Sequence, residues 1–238
     1  MDDYQFTVKE LTKLYNGKKV LDIPHLVIKK GMIYGVMGPN GSGKTTLLSI
    51  LSLLIRPTSG RIYFEGLELD GSKTDELTVR RQMTMVLQNP FLLTTTVEKN
   101  VAYGLKIRGM HKKDRRQRVK ECLDLVGLPG FEKRKAGELS GGEAQRVAIA
   151  RGIAVNPKVL LLDEPTANVD KTNREVLEDI MNELNHRYKT TIVFTTHDSN
   201  QAYRLADEII VLSDGRVQGT QSKDEFRIAE RLEKYPLG

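Results

Sequence analysis

The chain has 238 residues, 39% hydrophobic and 29% charged, with 37 basic against 31 acidic side chains and a net charge of +6. That balance excludes a disordered or membrane-embedded chain, gives enough length for a core without covalent staples, and suits an anionic ligand or a membrane-proximal surface. The longest apolar run, near Leu47 to Ile55, is broken by Ser49 and Ser52 and falls far short of a bilayer span, and Met1-Asp2-Asp3-Tyr4 does not open a signal peptide.

The first thirty residues carry apolar side chains at Phe6, Val8, Leu11 and Leu14, then at Val20, Leu21, Ile23, Leu26 and Ile28. Asn16-Gly17 between the two sets predicts a hairpin, hence an antiparallel ribbon leading into the next strand. Tyr15 closes the first strand as an exposed aromatic able to stack on a purine, or as a half-buried turn tyrosine.

Met32 to Met37 reads as a short buried strand, followed by Gly38-Pro39-Asn40-Gly41-Ser42-Gly43-Lys44-Thr45 and by Leu47, Leu48, Leu51, Leu54 and Ile55 at helical spacing. Strand, loop and helix in that order fit the phosphate-binding pattern G-x-x-x-x-G-K-[ST]. Its glycines let backbone N–H groups converge on phosphate oxygens, and the helix start adds partial positive charge. Lys44 would reach the β- and γ-phosphates, and the Thr45 hydroxyl would ligate Mg²⁺.

Arg56 to Gly60 is a turn, Arg61 to Phe64 a strand, and a polar stretch runs on to Arg81. Met83 to Leu87 is another strand, and Gln88 stands at its carboxyl end, where open α/β sheets bind ligands. An amide there can meet a metal ion or a water. From Pro90 to Val155 the periodicity becomes helical, predicting an inserted helical subdomain over 90–155, with the core and antiparallel ribbon formed by 1–89 and 156–238. Cys122, the only cysteine, reads as a small core residue of that insert and suits a reducing compartment. The basic run from Lys106 to Lys120 is a solvated helix face or a surface for lipid headgroups; without interleaved aromatics, nucleic acid is not expected.

Ser140 and Glu143 have capping-box spacing, and the same helix start offers a hydroxyl, the Gly141 and Gly142 N–H groups and a dipole to an anion. Gly152 within that helix should cost about 1 kcal/mol relative to alanine, which implies a close packing contact. Val159 to Leu162 is a fully apolar strand ending in Asp163 and Glu164. Asp163 suits Mg²⁺, and Glu164 is placed to polarise an attacking water. Asn173 to Tyr188 is an amphipathic helix and Thr190 to Thr195 a buried strand. His197 follows it as a hydrogen-bond donor to a terminal phosphate or as an ordinary loop histidine. Glu208 to Gly219 closes as a hairpin through Asp214-Gly215, leaving some twenty residues for one tail helix.

In these positions and this order the chain resembles the nucleotide-binding subunits of ABC transporters along nearly its whole length. The resemblance implies an α/β fold: a P-loop NTPase core with a mostly parallel sheet, an N-terminal antiparallel β subdomain and an inserted α-helical subdomain. It implies ATP and Mg²⁺ as ligands, with the base stacked on Tyr15 and the phosphates held by residues 38 to 45 and Thr46. It also implies Mg²⁺ ligation by Thr45, Gln88 and Asp163, and catalysis by Glu164 with His197, Lys44 and Gln88. Two copies would pair head to tail in the ATP-bound state, so that the signature Ser140, Gly141 and Gly142 of one faces the nucleotide of the other across the loop Asn168 to Asp170. Glu143 departs from the usual signature glutamine, and Ala167-Asn168-Val169-Asp170 departs from the commoner loop sequence. A separate membrane permease would dock near Gln88 to Gly104 at the cytoplasmic face, with a solute-binding protein as indirect partner. Thr96-Val97, Asn100 to Leu105 and Val20 to Pro24, with no long C-terminal regulatory domain, are most similar to the short tungstate-type importer ATPases, with phosphate and molybdate importers close behind. A soluble ATPase of the same type acting on DNA or ribosomes is the alternative of a different class.

Overall fold

The computed structural model describes residues 3–71, 73–167 and 169–226. Strands β1 (Tyr4–Tyr15) and β2 (Lys18–Lys29) pair across Asn16-Gly17, whose φ angles of 49° and 77° are those a two-residue hairpin needs. Alternation buries Phe6, Val8 and Leu11 on one strand and Leu21, Ile23, Leu26 and Ile28 on the other. Leu14, expected on the same face, is exposed, because the register shifts between Lys13 and Leu14. With β4 (Ser59–Phe64) and β5 (Leu67–Glu68) the ribbon forms a four-stranded sheet, in the order β2-β1-β4-β5.

The second sheet has the order β10-β9-β3-β8-β7-β6. Strands β3 (Ile33–Met37), β6 (Met83–Val86), β7 (Val159–Leu162), β8 (Thr191–Thr196) and β9 (Glu208–Ser213) run parallel, and β10 (Arg216–Ser222) returns antiparallel to β9. Burial on both faces explains why β7 reads as an unbroken apolar run. Val159 and Leu161 pack with helix α1 (Lys44–Leu51) and the four-stranded sheet. Leu160 and Leu162 pack on the other face, in the cluster that holds the apolar sides of α6 (Gly141–Ala154), α7 (Lys171–Tyr188) and α8 (Ser199–Leu205).

Between β6 and β7 the chain forms α3 (Val97–Val101), α4 (Tyr103–Ile107), α5 (Lys112–Leu125), a 3-10 turn at Ala136–Glu138, and α6. The basic run is not wholly solvated. Arg118 donates from Nε to the Ala154 carbonyl at 3.1 Å and from Nη2 to the Ile153 carbonyl at 3.0 Å, while Arg108 Nη1 donates to the Val155 carbonyl at 3.1 Å. Two arginines therefore cap the carboxyl end of α6, where the helix dipole favours a cation. Cys122 is buried, and burial pushes its thiol up to about 11, which keeps it protonated and inert.

Three stretches differ from the expected elements. Helix α1 ends at Leu51, since Leu53 takes a left-handed φ of 58°, and this leaves Leu54 60% exposed. The polar stretch before Arg81 holds β5 and α2 (Lys73–Arg80). Helix α2 buries Val79 while Leu77 stays exposed, too little apolar periodicity to read as a helix. Of the expected tail helix, residues 220–222 belong to β10, 223–226 are helical, and 227–238 lie outside the described residues.

The close contact expected at Gly152 is made with β6. A Cβ there would lie 2.9 Å from Thr84 Cγ2, and the Thr84 hydroxyl donates to the Gly152 carbonyl at 3.2 Å. Gly152→Ala gains about 1 kcal/mol of helix propensity against an overpacking cost of about 1–3 kcal/mol. A net loss of roughly 1 kcal/mol is expected, read as a lower denaturant midpoint. A higher midpoint would show that the helix has room to move off β6.

Candidate functional site

The loop from β3 to α1 is held from outside as well as by its own turns. A Cβ on Gly38 would overlap the Leu212 carbonyl oxygen of β9, and one on Gly43, at φ 102°, would lie 2.6 Å from Leu21 Cδ2. The β9–β10 turn braces the loop. Gly215 N–H donates to the Ser42 carbonyl at 3.1 Å, and the Gly215 carbonyl accepts from Asp22 N–H at 2.8 Å. Within this frame Lys44 is only 6% exposed, and its Nζ donates to the carbonyls of Gly38 at 2.8 Å and Pro39 at 3.0 Å. No carboxylate pairs with it among the described residues. The Ser42 hydroxyl is buried without a hydrogen-bond partner. A buried ammonium and an orphaned hydroxyl beside a helix start suit an anion with several oxygens.

Two strand ends face this loop. Asp163, just beyond β7, is buried, and its Oδ1 accepts the Thr195 hydroxyl of β8 at 2.8 Å. The same Thr195 oxygen accepts the Glu164 N–H at 2.7 Å. Glu164 takes a left-handed φ of 44°, so the chain turns sharply after Asp163. Its Oε2 accepts from Gln88 Nε2 at 3.4 Å and lies 3.6 Å from His197 Nδ1. Lys44, Thr45, Gln88 and Glu164 line one cleft of about 460 Å³, with Asn40, Gly41, Gly43, Thr46 and Val20. A second cleft of about 500 Å³ shares Gln88 and Glu164 and continues toward Arg174, His197 and Asp198. The donor set of Thr45 hydroxyl, Gln88 amide and Asp163 carboxylate is all oxygen, which fits Mg²⁺ shared with phosphates.

The other expected positions lie outside that cleft. Tyr15 is 46% exposed at the end of β1, with Lys13 Nζ 5.0 Å from its ring centroid. Ser140 caps α6, its Oγ accepting the Glu143 N–H at 3.3 Å while Glu143 Oε2 accepts the Ser140 N–H at 2.8 Å. Both halves of the capping box are present, and Ser140 and Gly141 stay exposed at the helix start. Glu143 Oε1 also accepts from Arg134 Nη1 at 3.0 Å. The Ser140 amide and then the Arg134 guanidinium hold the Glu143 carboxyl below its ordinary range. A glutamine could copy the cap but not the ion pair. Asp170 caps α7, accepting from Asn173 N–H at 2.9 Å and Asn173 Nδ2 at 2.6 Å. Asn168 lies outside the described residues.

Four contributors escape sequence reasoning. Thr195 could have been suspected as the polar end of an otherwise apolar strand next to the acidic one. Val20, Gly215 and Arg134 reach the site or its frame only through tertiary packing, and no local spacing marks them.

The family model described as ABC transporter matches residues 21–167. The tungstate uptake system ATP-binding protein TupC of Peptoclostridium acidaminophilum is 43% identical over 213 residues, 90% of this chain and 96% of that protein. The glycine betaine/carnitine transport ATP-binding protein GbuA of Listeria monocytogenes is 44% identical over 202 residues, 84% of this chain but 51% of that protein. The Fe(3+) ions import ATP-binding protein FbpC 1 of Haemophilus influenzae is 40% identical over 91% of this chain and 66% of its own length. Among solved structures, cbiO1 of Clostridium perfringens superposes with a TM-score of 0.88 at 29% identity, covering 99% of this chain and 96% of that one. The dimeric cassette MJ0796 bound to ADP and Pi gives 0.85 at 34% identity, covering 92% and 98%. The Lys44 loop, the acidic end of β7 and these likenesses along most of the chain lead to one conclusion: it belongs to the ABC transporter family, as an ATP-binding, ATP-hydrolysing subunit.

Proposed function

We propose that this chain powers uptake of a small solute, an oxyanion such as tungstate, by hydrolysing ATP against a separate membrane permease. The observation that carries the hydrolytic part is the shared lining of one cleft by Lys44 and Glu164. One group neutralises phosphate and the other stands where an attacking water must be oriented. Residues 38–46 hold the phosphates, and Lys44 exchanges its loop carbonyls for β- and γ-phosphate oxygens. Glu164, its backbone pinned by Thr195, takes the proton of the water, and His197 donates to the terminal phosphate. Gln88 orients that water through its link to Glu164. Thr45, Gln88 and Asp163 would hold Mg²⁺, which when bound spreads the phosphate charge.

The capped start of α6 is an anion site without a phosphate of its own chain, since Ser140, Gly141 and Gly142 do not line the Lys44 cleft. Two copies facing head to tail place each Ser140 against the other's nucleotide, and the dimeric MJ0796 cassette supports that pairing. Tyr15 then stacks on the base from the ribbon side. No helix among the described residues is long and apolar enough to cross a membrane, which supports peripheral attachment at the cytoplasmic face through a permease. Exposed Leu87, Phe91 and Tyr103, on the segment from Gln88 to Gly104 and next to it, give the permease an apolar foothold. For the cargo, tungstate is favoured by the likeness to TupC, 43% identical over 90% of this chain and 96% of that protein.

Glu164→Gln should lower steady-state ATPase at least a hundredfold, leave ATP affinity within about threefold, and move the ATP-bound chain to a dimer by light scattering; turnover at the normal rate refutes the role of Glu164. Cells lacking this chain should lose high-affinity tungstate accumulation and keep uptake of iron, sulfate and glycine betaine. Loss of one of those instead, with tungstate unaffected, reassigns the cargo.

A further inference from the structure

Behind the site lies a buried polar cluster that the reaction outlined above does not use. Glu178 of α7 is 7% exposed, and both its oxygens are engaged by Arg204 of α8, Nε to Oε2 at 3.0 Å and Nη2 to Oε1 at 2.7 Å. It also accepts from Gln201 Nε2 at 3.3 Å. A carboxylate only accepts here, so Gln201 must turn its amide nitrogen toward Glu178. The same amide nitrogen donates to the Thr166 hydroxyl oxygen at 2.8 Å, and that oxygen lies 3.1 Å from the Gln201 carbonyl oxygen. Gln201 and Thr166 are themselves buried.

The cluster joins the two loops that carry the proposed chemistry. Thr166 is two residues past Glu164, and α8 begins directly after His197-Asp198. One turn earlier on the same face of α7, Arg174 Nη1 meets Asp198 Oδ2 at 3.2 Å, and Asp198 caps α8. Helix α7 thus grips α8 at both ends, by Arg174 at its start and by Glu178 near its finish. An apolar side chain at position 178 would fill the same space without the desolvation cost of a carboxylate. What such a side chain could not do is fix the amide orientation of Gln201 and the rotation of α8.

We propose that Glu178, acting through Gln201 and Arg204, is a positioning residue for ATP hydrolysis, holding the His197 loop and the Glu164 turn at a fixed separation. This rests on the roles given to Glu164 and His197 above. Rotation of α8 moves His197 relative to Glu164, whereas the phosphate loop lies on the other side of Glu164 and has no part in the cluster. Loss of Glu178 should therefore slow turnover and spare nucleotide binding.

The test uses the full chain, with thermal melting to confirm folding. Glu178→Ala is expected to lower kcat at least tenfold while KM and the ATP Kd stay within threefold, and Glu178→Gln to recover at least a third of the rate. In a His197→Ala background, adding Glu178→Ala should reduce the single-turnover rate less than twofold, because both changes disturb the same arrangement. An unchanged kcat, an effect confined to Kd, or a full tenfold loss in the His197→Ala background would overturn the proposal. Should Glu178→Ala fail to fold, Arg204→Lys carries the same comparison, since it keeps the charge and loses the two-pronged contact. Glu164→Gln run in parallel separates the two ideas. Full activity there removes the underlying assignment, whereas an inactive Glu164→Gln beside a fully active Glu178→Ala removes only the clamp.

Discussion

A buried ammonium that no carboxylate pairs with among the described residues is the constraint on which this structure turns. Lys44 is 6% exposed and donates to two carbonyls of its own loop. Moving a charge out of water is costly unless an opposite charge meets it, so the loop is incomplete until an anion enters. The frame accepts that cost because several elements press the loop into place: β9 against Gly38, Leu21 against Gly43, and the Gly215 turn against Ser42. With the loop braced in this way, Lys44 opens onto a cleft that Glu164 and Gln88 also line.

The proposed second anion site obeys the same logic at a different place. Helix α6 is secured at its start by the Ser140–Glu143 box and Arg134, and at its end by Arg108 and Arg118. A helix fixed at both ends presents its N–H groups as a rigid surface, yet Ser140 does not line the cleft that holds Lys44. On the proposed reading, one protomer carries two half-sites that do not meet within it. The proposed two-fold pairing of identical chains would bring them together and complete both at once.

Much of this was legible from residue order alone. The loop from Gly38 to Thr45, the acids closing β7, Gln88 after β6 and His197 after β8 all stand at carboxyl ends of parallel strands, where local spacing and sheet topology carry the same message. The hairpin at Asn16-Gly17 was equally plain, because both residues must take positive φ. What escaped was whatever depends on distant partners. Thr195 links Asp163 to the Glu164 backbone from a neighbouring strand, and Gly215 braces Ser42 from the far end of the chain. Leu14 turns outward because of a register shift, and α2 buries too few apolar side chains to show a period. Glu143 illustrates the opposite case: its spacing announced a cap, while its ion pair with Arg134 came from a residue that no motif marks.

Mixed pairing tests the two-copy claim most directly. Lys44→Ala removes one half-site. Gly141→Asp places a carboxylate in the other, at a position where a side chain meets nothing within 4 Å. Each variant alone should be inactive, and mixing them should restore up to about a quarter of the normal ATPase rate, because half of the pairs would hold one intact composite site. A mixture as inactive as its components, or a Gly141→Asp chain that turns over ATP at the normal rate, would contradict the account.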